Sequence, residues 1–183
     1  MSFCSVPPAR IVLDRECEKG KVMDGTVRAA RQDDLPAIET IWNRIIAETT
    51  VTFTTELKQL DGWLDEKAAE GAAVLVWDVG GVCAGFATWG SFRGGPGYAH
   101  VIEHTVMLGE DARGQGAGRA LMGALMAAAR DAGKAATVGG ISGENTAAIA
   151  FHAALGFREV GRVPSAGRKF GREIDLVLMH RPL

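Results

Sequence analysis

Residues 105–121 read Thr105-Val106-Met107-Leu108-Gly109-Glu110-Asp111-Ala112-Arg113-Gly114-Gln115-Gly116-Ala117-Gly118-Arg119-Ala120-Leu121. An apolar run ends in a loop holding Gly114, Gly116 and Gly118, and the loop opens directly into a helix whose Leu121, Met122, Leu125, Met126 and Ala129 share one face. Glycines let successive backbone N–H groups turn inward, and a helix N-terminus adds partial positive charge, so the segment forms a cradle for phosphate oxygens. Arg113 and Arg119 supply counter-charge. The spacing is G-x-G-x-G rather than the G-x-G-x-x-G of a dinucleotide fold, and no acidic residue closes the next strand. No Gly-Lys-Ser/Thr follows, which excludes a Walker loop. A glycine-rich turn without a ligand remains the plain alternative.

Outward from this loop the chain alternates strands and helices. Upstream, Thr26 to Ala30 reads as a strand. Leu35, Ile38, Ile41, Trp42, Ile45 and Ile46 mark one helix face, and a second helix is expected over Leu57 to Ala69, ended by Gly71. Two apolar runs, Ala72 to Val79 and Val82 to Trp89, meet at Gly80-Gly81, a hairpin signal. After the loop Ser91 to Gly97, a strand is expected over 99–108. Downstream come a helix over 119–132, a strand over 135–141, a helix over 144–155 and closing strands over 157–163 and 173–179. The order β-α-α-β-β-β-α-β-α-β-β predicts an α/β (α+β) mixed sheet in a single domain over residues 25–183. Residues 1–24, with Pro7-Pro8 and scattered charge, are expected to form a partly ordered extension.

Composition narrows the function classes. The formal net charge of -2, with no basic run, gives no electrostatic basis for nucleic acid or a membrane surface. No stretch is long and apolar enough for a membrane span, and the N-terminus lacks a signal pattern, so a cytoplasmic protein is expected. Cys4, Cys17 and Cys83 are odd in number and lack CxxC spacing, which argues against a disulfide framework or a metal site. Cys83, between Val82 and Ala84, reads as a buried structural thiol rather than a nucleophile.

The Arg113-x-x-Gly116-x-Gly118 loop resembles the pyrophosphate loop of the GNAT acetyltransferases. A second stretch, Asn145-x-x-Ala148-x-x-x-His152-x-x-x-Gly156-Phe157, is similar to another motif of that superfamily. The likeness implies a GNAT-type acyl-CoA N-acyltransferase fold and acetyl-CoA as co-substrate, with no metal. It places the cofactor against Val106, Met107, Leu108, residues Arg113 to Arg119 (Gly114, Gln115, Gly116, Ala117 and Gly118 between them) and Asn145. A lone helical histidine is more often a satisfied structural residue; many relatives carry Tyr at the position of His152 as the acid for the departing thiolate, so the resemblance lends His152 that role by analogy alone. Further segments, Ala47 to Phe53, Phe92-Arg93, Gly97-Tyr98, Ile102 to Val106 and Val160 to Asp175, resemble the phosphinothricin and methionine sulfoximine acetyltransferases, and the likeness covers Thr26 to Pro182. It implies Glu103 as base, a homodimer, and an amino-acid pocket formed by Phe53, Phe92, Arg93, Tyr98 and Lys169. Met107 and Glu173 stand where those enzymes usually have aromatics, and Gly109 replaces a polar residue, which leaves the substrate open.

The chemistry suits these residues. Acetyl transfer from a thioester to an amine needs a base, a donor for the carbonyl oxygen and a departing thiolate. A backbone N–H over 106–108 can serve as donor. A carboxyl such as Glu103 titrates near 4.3 when unperturbed, so it would act through water or with its pKa raised by burial. The Arg93 guanidinium fork suits planar oxyanions. The reading is transfer of acetyl to the α-amine of a small amino acid or analogue by direct attack in a ternary complex. An N-acetyltransferase for protein N-termini or lysines, and an acyl-CoA sensor without chemistry, are the rivals.

Overall fold

A computed structural model describes residues 24–183. The extension expected over residues 1–24 lies, except for Asp24, outside the described residues, as do Cys4 and Cys17. The elements are β1 (Thr26–Ala29), α1 (Leu35–Glu48), α2 (Trp63–Ala69), β2 (Val74–Val79), β3 (Val82–Ser91), β4 (Val101–Leu108), α3 (Ala117–Asp131), β5 (Ala136–Ser142), α4 (Thr146–Ala154), β6 (Arg158–Lys169) and β7 (Arg172–Pro182). Their order is the one expected from the sequence.

The strands form one seven-stranded sheet in the order β1-β2-β3-β4-β5-β7-β6. Every neighbouring pair is antiparallel except β4 and β5. On one face α1 and α2 bury Ile38, Ile45 and Trp63 against Val76, Phe86 and Met107. On the other, α3 packs Leu121, Met122, Leu125 and Met126 onto Ala87, Trp89 and Ile102, and Ile149 and Phe151 of α4 join it. Each such large side chain removed from water contributes about 1.5–3 kcal/mol before the entropy cost of ordering it.

Two expected boundaries move. Residues 57–62 are not helical: the Asn43 side chain takes the Lys58 N–H at 2.7 Å and donates to the Lys58 carbonyl at 2.9 Å, while Glu39 accepts from Leu60 N–H at 3.2 Å. Those contacts with α1 replace a helix's own bonds, and α2 starts only after Gly62, whose φ is 74°. The closing strands run well past Val163. Pro164 and Ser165 form a bulge where the β6–β7 register shifts, with Ser165 at φ 52°. The hairpin turns at Phe170-Gly171, with φ 52° and 72°, the backbone that a tight two-residue turn needs.

The feature that makes the site is the short β4–β5 ladder. It pairs only Val101, Ile102 and Glu103 with Ala136, Thr137 and Val138. Beyond that point β4 stays with β3 as far as Leu108, and β5 stays with β7 as far as Ser142. The sheet therefore forks, and among the described residues, 104–108 of β4 have no partner strand on the β5 side.

Candidate active site

A cleft of about 830 Å³ fills the fork and runs to the N-terminus of α3. It brings together Phe53, Glu103, Val106, Met107, Leu108, Arg113, Gly114, Gly116, Gly118, Arg119, Asn145 and His152. Those residues come from the segment before α2, from β4, from the glycine loop and from α4.

At one end is the glycine loop. Gly114 and Gly116 have φ of 73° and 82°, left-handed conformations that a side chain would strain. No backbone carbonyl accepts from the N–H groups of residues 114–119 among the described residues, and the first bond of α3 runs from Ala120 N–H to Gly116. Unpaired donors of this kind at a helix N-terminus are an arrangement that suits an anion. Arg113 and Arg119 have no carboxylate partner among the described residues. Gly118 serves packing: a Cβ there would lie 3.2 Å from the Phe151 ring, so glycine lets α3 meet α4. Ala117 is buried in the α3 core, and Gln115 lies outside the cleft lining.

At the fork, Glu103 and His104 point to opposite faces of β4. Glu103 is reached by solvent through the cleft and has no hydrogen-bond partner among the described residues. Surrounding protein raises its pKa above the usual carboxylate range, with the charge of Arg93 working against the rise. Gly140 makes room for it: a Cβ there would lie 2.9 Å from Glu103 Oε1. On the other face the His104 ring fits against Gly139, where a Cβ would lie 2.8 Å from its Cε1. His104 Nε2 meets His152 Nε2 at 2.8 Å, His104 Nδ1 meets Thr137 Oγ1 at 2.9 Å, and His152 Nδ1 donates to the Ala148 carbonyl at 2.7 Å. Burial lowers both pKa values, that of His104 to about 3, with His152 adding to the shift of His104. Both ring nitrogens of His152 are thus engaged within the protein. Asn145 has a structural duty as well, because its side-chain oxygen caps α4 by accepting from Ala148 N–H at 3.0 Å.

The other end is walled by residues 49–55. The Phe53 ring lies flat on Gly167, where a Cβ would sit 2.2 Å from it. Thr50 donates to Glu144, which Arg172 holds through two contacts of 2.9 and 3.2 Å. Lys169 differs from expectation: it is buried behind this wall, its Nζ is spent on the Thr52 carbonyl at 2.8 Å, and burial lowers its pKa. Phe92, Arg93 and Tyr98 also fall outside the cleft lining. They lie on the loop that follows β3, with Arg93 over the Phe92 ring at 5.3 Å and Tyr98 exposed. Only the charge of Arg93 reaches the site, through Glu103. Cys83 is buried, its thiol is pushed up to about 11, and it donates to the Gly85 carbonyl, as a structural cysteine should.

The pairing of a forked sheet with a glycine loop on one cleft coincides with the comparisons to known proteins. Residues 38–157 match the acetyltransferase (GNAT) family. The chain belongs to the GNAT acetyltransferase family. It is similar to the L-amino acid N-acyltransferase MnaT of Escherichia coli, 35% identical over 86% of this chain and 94% of that protein. It is equally similar to the L-methionine sulfoximine/L-methionine sulfone acetyltransferase of Pseudomonas aeruginosa, 36% identical over 86% of this chain and 94% of that protein. Among solved structures, a phosphinothricin acetyltransferase from Sinorhizobium meliloti in complex with acetyl-CoA superposes with a TM-score of 0.81. It is 29% identical and covers 87% of this chain and 88% of its own. The seven-stranded mixed sheet is thus the GNAT fold, and the chain is an acetyltransferase by family.

Residues missed at the level of sequence are His104, Thr137, Gly139 and Gly140. Glycines at 139 and 140 in a strand otherwise rich in apolar residues were a signal for close approach of something to β5. What approaches, the Glu103 and His104 side chains, depends on the β4–β5 pairing.

Proposed function

We propose that this chain transfers the acetyl group of acetyl-CoA to the α-amine of a small amino acid or analogue, in the class of methionine sulfoximine, methionine sulfone and phosphinothricin. The observation that carries the reading is the unpaired Glu103 carboxyl, with its pKa raised, at the inner end of a cleft whose outer end is the glycine loop. The loop N–H groups, Arg113 and Arg119 hold the pyrophosphate, and the free edge of β4 over Val106 to Leu108 takes the pantetheine arm and the thioester oxygen. Asn145 and the first turn of α4 flank the same arm. Glu103 removes a proton from the substrate ammonium through water. The amine then forms its N–C bond to the acetyl carbon, the C–S bond breaks, and the second proton of the attacking nitrogen passes to the departing thiolate through water, leaving the amide and the free thiol. The wall of residues 49–55, held by Lys169 and Glu144, bounds the amine side and favours a small substrate over a protein segment. This reading needs no metal. A cytoplasmic homodimer fits it, with exposed Val160, Val163 and Phe170 on the β6–β7 hairpin as the contact.

The test is thiol release from acetyl-CoA with each of the three amines against a no-amine control. Turnover with at least one is expected. Glu103→Gln is expected to lower kcat about 10²-fold or more, with acetyl-CoA affinity held within about twofold. Acetyl-CoA binding without turnover on any of the three would overturn the substrate class, and full turnover by Glu103→Gln would overturn the assignment of the base.

A further inference from the structure

With Thr137 Oγ1 as the partner of His104 Nδ1, the His104–His152 contact has one arrangement of protons that keeps both rings neutral. The Ala148 carbonyl can only accept, so His152 Nδ1 carries a proton, and a neutral His152 has its lone pair on Nε2. Across the 2.8 Å contact His104 must then donate from its Nε2, which leaves a lone pair on its Nδ1. Thr137 Oγ1, 2.9 Å away, is the group able to donate there. Were His104 protonated on Nδ1 instead, two lone pairs would face each other across the Nε2–Nε2 contact. The groups packed on the pair are Thr137, the Val138 backbone and Gly139 from β5, Phe151 from α4 and Phe157 just before β6. None is charged, and Glu103 points to the opposite face of β4. A further proton, which would make one ring cationic, would therefore find no counter-charge in this buried environment.

This chain of three bonds links β5, β4 and α4 at the point where β4 and β5 part. We infer that His104 is a positioning residue: directed by Thr137, it holds His152 as a neutral ring protonated on Nδ1 and pins α4 to the fork, so that His152 supports the cofactor arm and is not the acid for the departing thiolate. No ring nitrogen of either histidine is left to donate into the cleft. The role deepens the acetyl-transfer reading above and rests on it only for its kinetic arm.

Two measurements decide the matter. Long-range proton–nitrogen NMR correlations of the full chain at pH 7 should show His152 protonated on Nδ1 and His104 on Nε2, both neutral. A proton on His152 Nε2, or a cationic ring, would overturn the assignment. In kinetics, His152→Gln retains an acceptor for His104 through its amide oxygen, and should lower kcat less than about tenfold with the pH profile of kcat in place. His104→Leu removes the donor but leaves His152, and should weaken acetyl-CoA binding about tenfold or more by releasing α4. An acid at His152 predicts the reverse: a loss of about 10²–10⁴-fold in kcat for His152→Gln, with the high-pH limb altered. If His104→Leu does not fold, Thr137→Val gives the same reading, since it keeps the bulk and strips the donor. Its His104 tautomers should become mixed, whereas Thr137→Ser should keep the native one. A native tautomer in Thr137→Val would sink the role given to Thr137. Tautomers and acetyl-CoA binding need no amine, so an error in the substrate class leaves this inference decidable.

Discussion

Gly139 and Gly140 are neighbours in β5, yet alanine at the two positions should have opposite consequences. At Gly140 the new Cβ would lie 2.9 Å from Glu103 Oε1 and 3.4 Å from Leu176 Cδ1, the far ends of two flexible side chains. The residue has no left-handed φ, so its backbone accepts alanine without strain, and the loss of glycine freedom in the unfolded chain favours the folded state by about 0.4–1 kcal/mol. Stability should therefore hold. The Glu103 carboxyl must swing away to reach ordinary contact distance, and a displacement of that order at a reacting group can cost about 10²-fold in rate, or about 2.7 kcal/mol of barrier. At Gly139 the new Cβ would lie 2.8 Å from Cε1 and 3.3 Å from Nε2 of His104, a ring fixed at both nitrogens and unable to swing. Overpacking of that kind costs about 1–3 kcal/mol.

The assay compares both variants by urea unfolding, acetyl-CoA calorimetry and steady-state turnover. Gly140→Ala should match the parent in unfolding midpoint and cofactor affinity and lose kcat by about ten- to a hundredfold. Gly139→Ala should lose stability by about 1–3 kcal/mol. Full turnover in Gly140→Ala would refute the reasoning, because the carboxyl would have been displaced with no effect on the chemistry.

Arg113→Ala and Arg119→Ala should each weaken acetyl-CoA by about ten- to a hundredfold, the value of a charge-assisted hydrogen bond, with kcat changed far less. Calorimetry in low and high salt checks this, and equal affinity for parent and variants would remove the arginines from the pyrophosphate site. The histidine pair predicts an acid-labile fold. Rings held neutral bind protons only on unfolding, so stability is full above the unfolded value of about 6.5 and falls as pH drops below it. The loss should be about 1 kcal/mol per ring between pH 6.5 and 5.5. Urea unfolding across that window should show the full slope in the parent and about half of it in His152→Gln. A flat parent profile would mean that the rings titrate freely in the folded chain.

What could be read in the sequence was what short-range physics decides. Gly114 and Gly116 at the mouth of an amphipathic helix, Gly80-Gly81 between two apolar runs and the 3–4 spacing of α1 each have a local cause, and each element formed where expected. Residues 57–62 look helical by composition, but Asn43 and Glu39, more than a dozen residues upstream, hold them extended. Pro164 looks like the end of a strand, yet a bulge absorbs it while pairing with β7 resumes at Gly167. Lys169 carries a charge that suggested a substrate contact, and the Thr52 carbonyl, 117 residues away in sequence, claims it. For residues 57–62 and Lys169 the deciding partner lies well outside the segment, and for Pro164 it is the facing strand, so propensity and periodicity of the segment alone do not reach it.

The fork itself shows why a predominantly antiparallel sheet contains one parallel pair. An antiparallel neighbour could follow β4 by a tight turn and pair along its whole length, leaving residues 104–108 no free edge. A parallel neighbour must return through a crossover, here the glycine loop and α3, so the same connection that makes β4–β5 parallel also carries the glycine loop at its start. The two strands then need a reason to part after only three pairs, and consecutive residues of β4 provide it. Glu103 occupies the space over Gly140 on one face, and His104 that over Gly139 on the other. The side chains that open the cleft are therefore those on which its chemistry and rigidity depend, and the two glycines opposite them are what such an opening requires of β5.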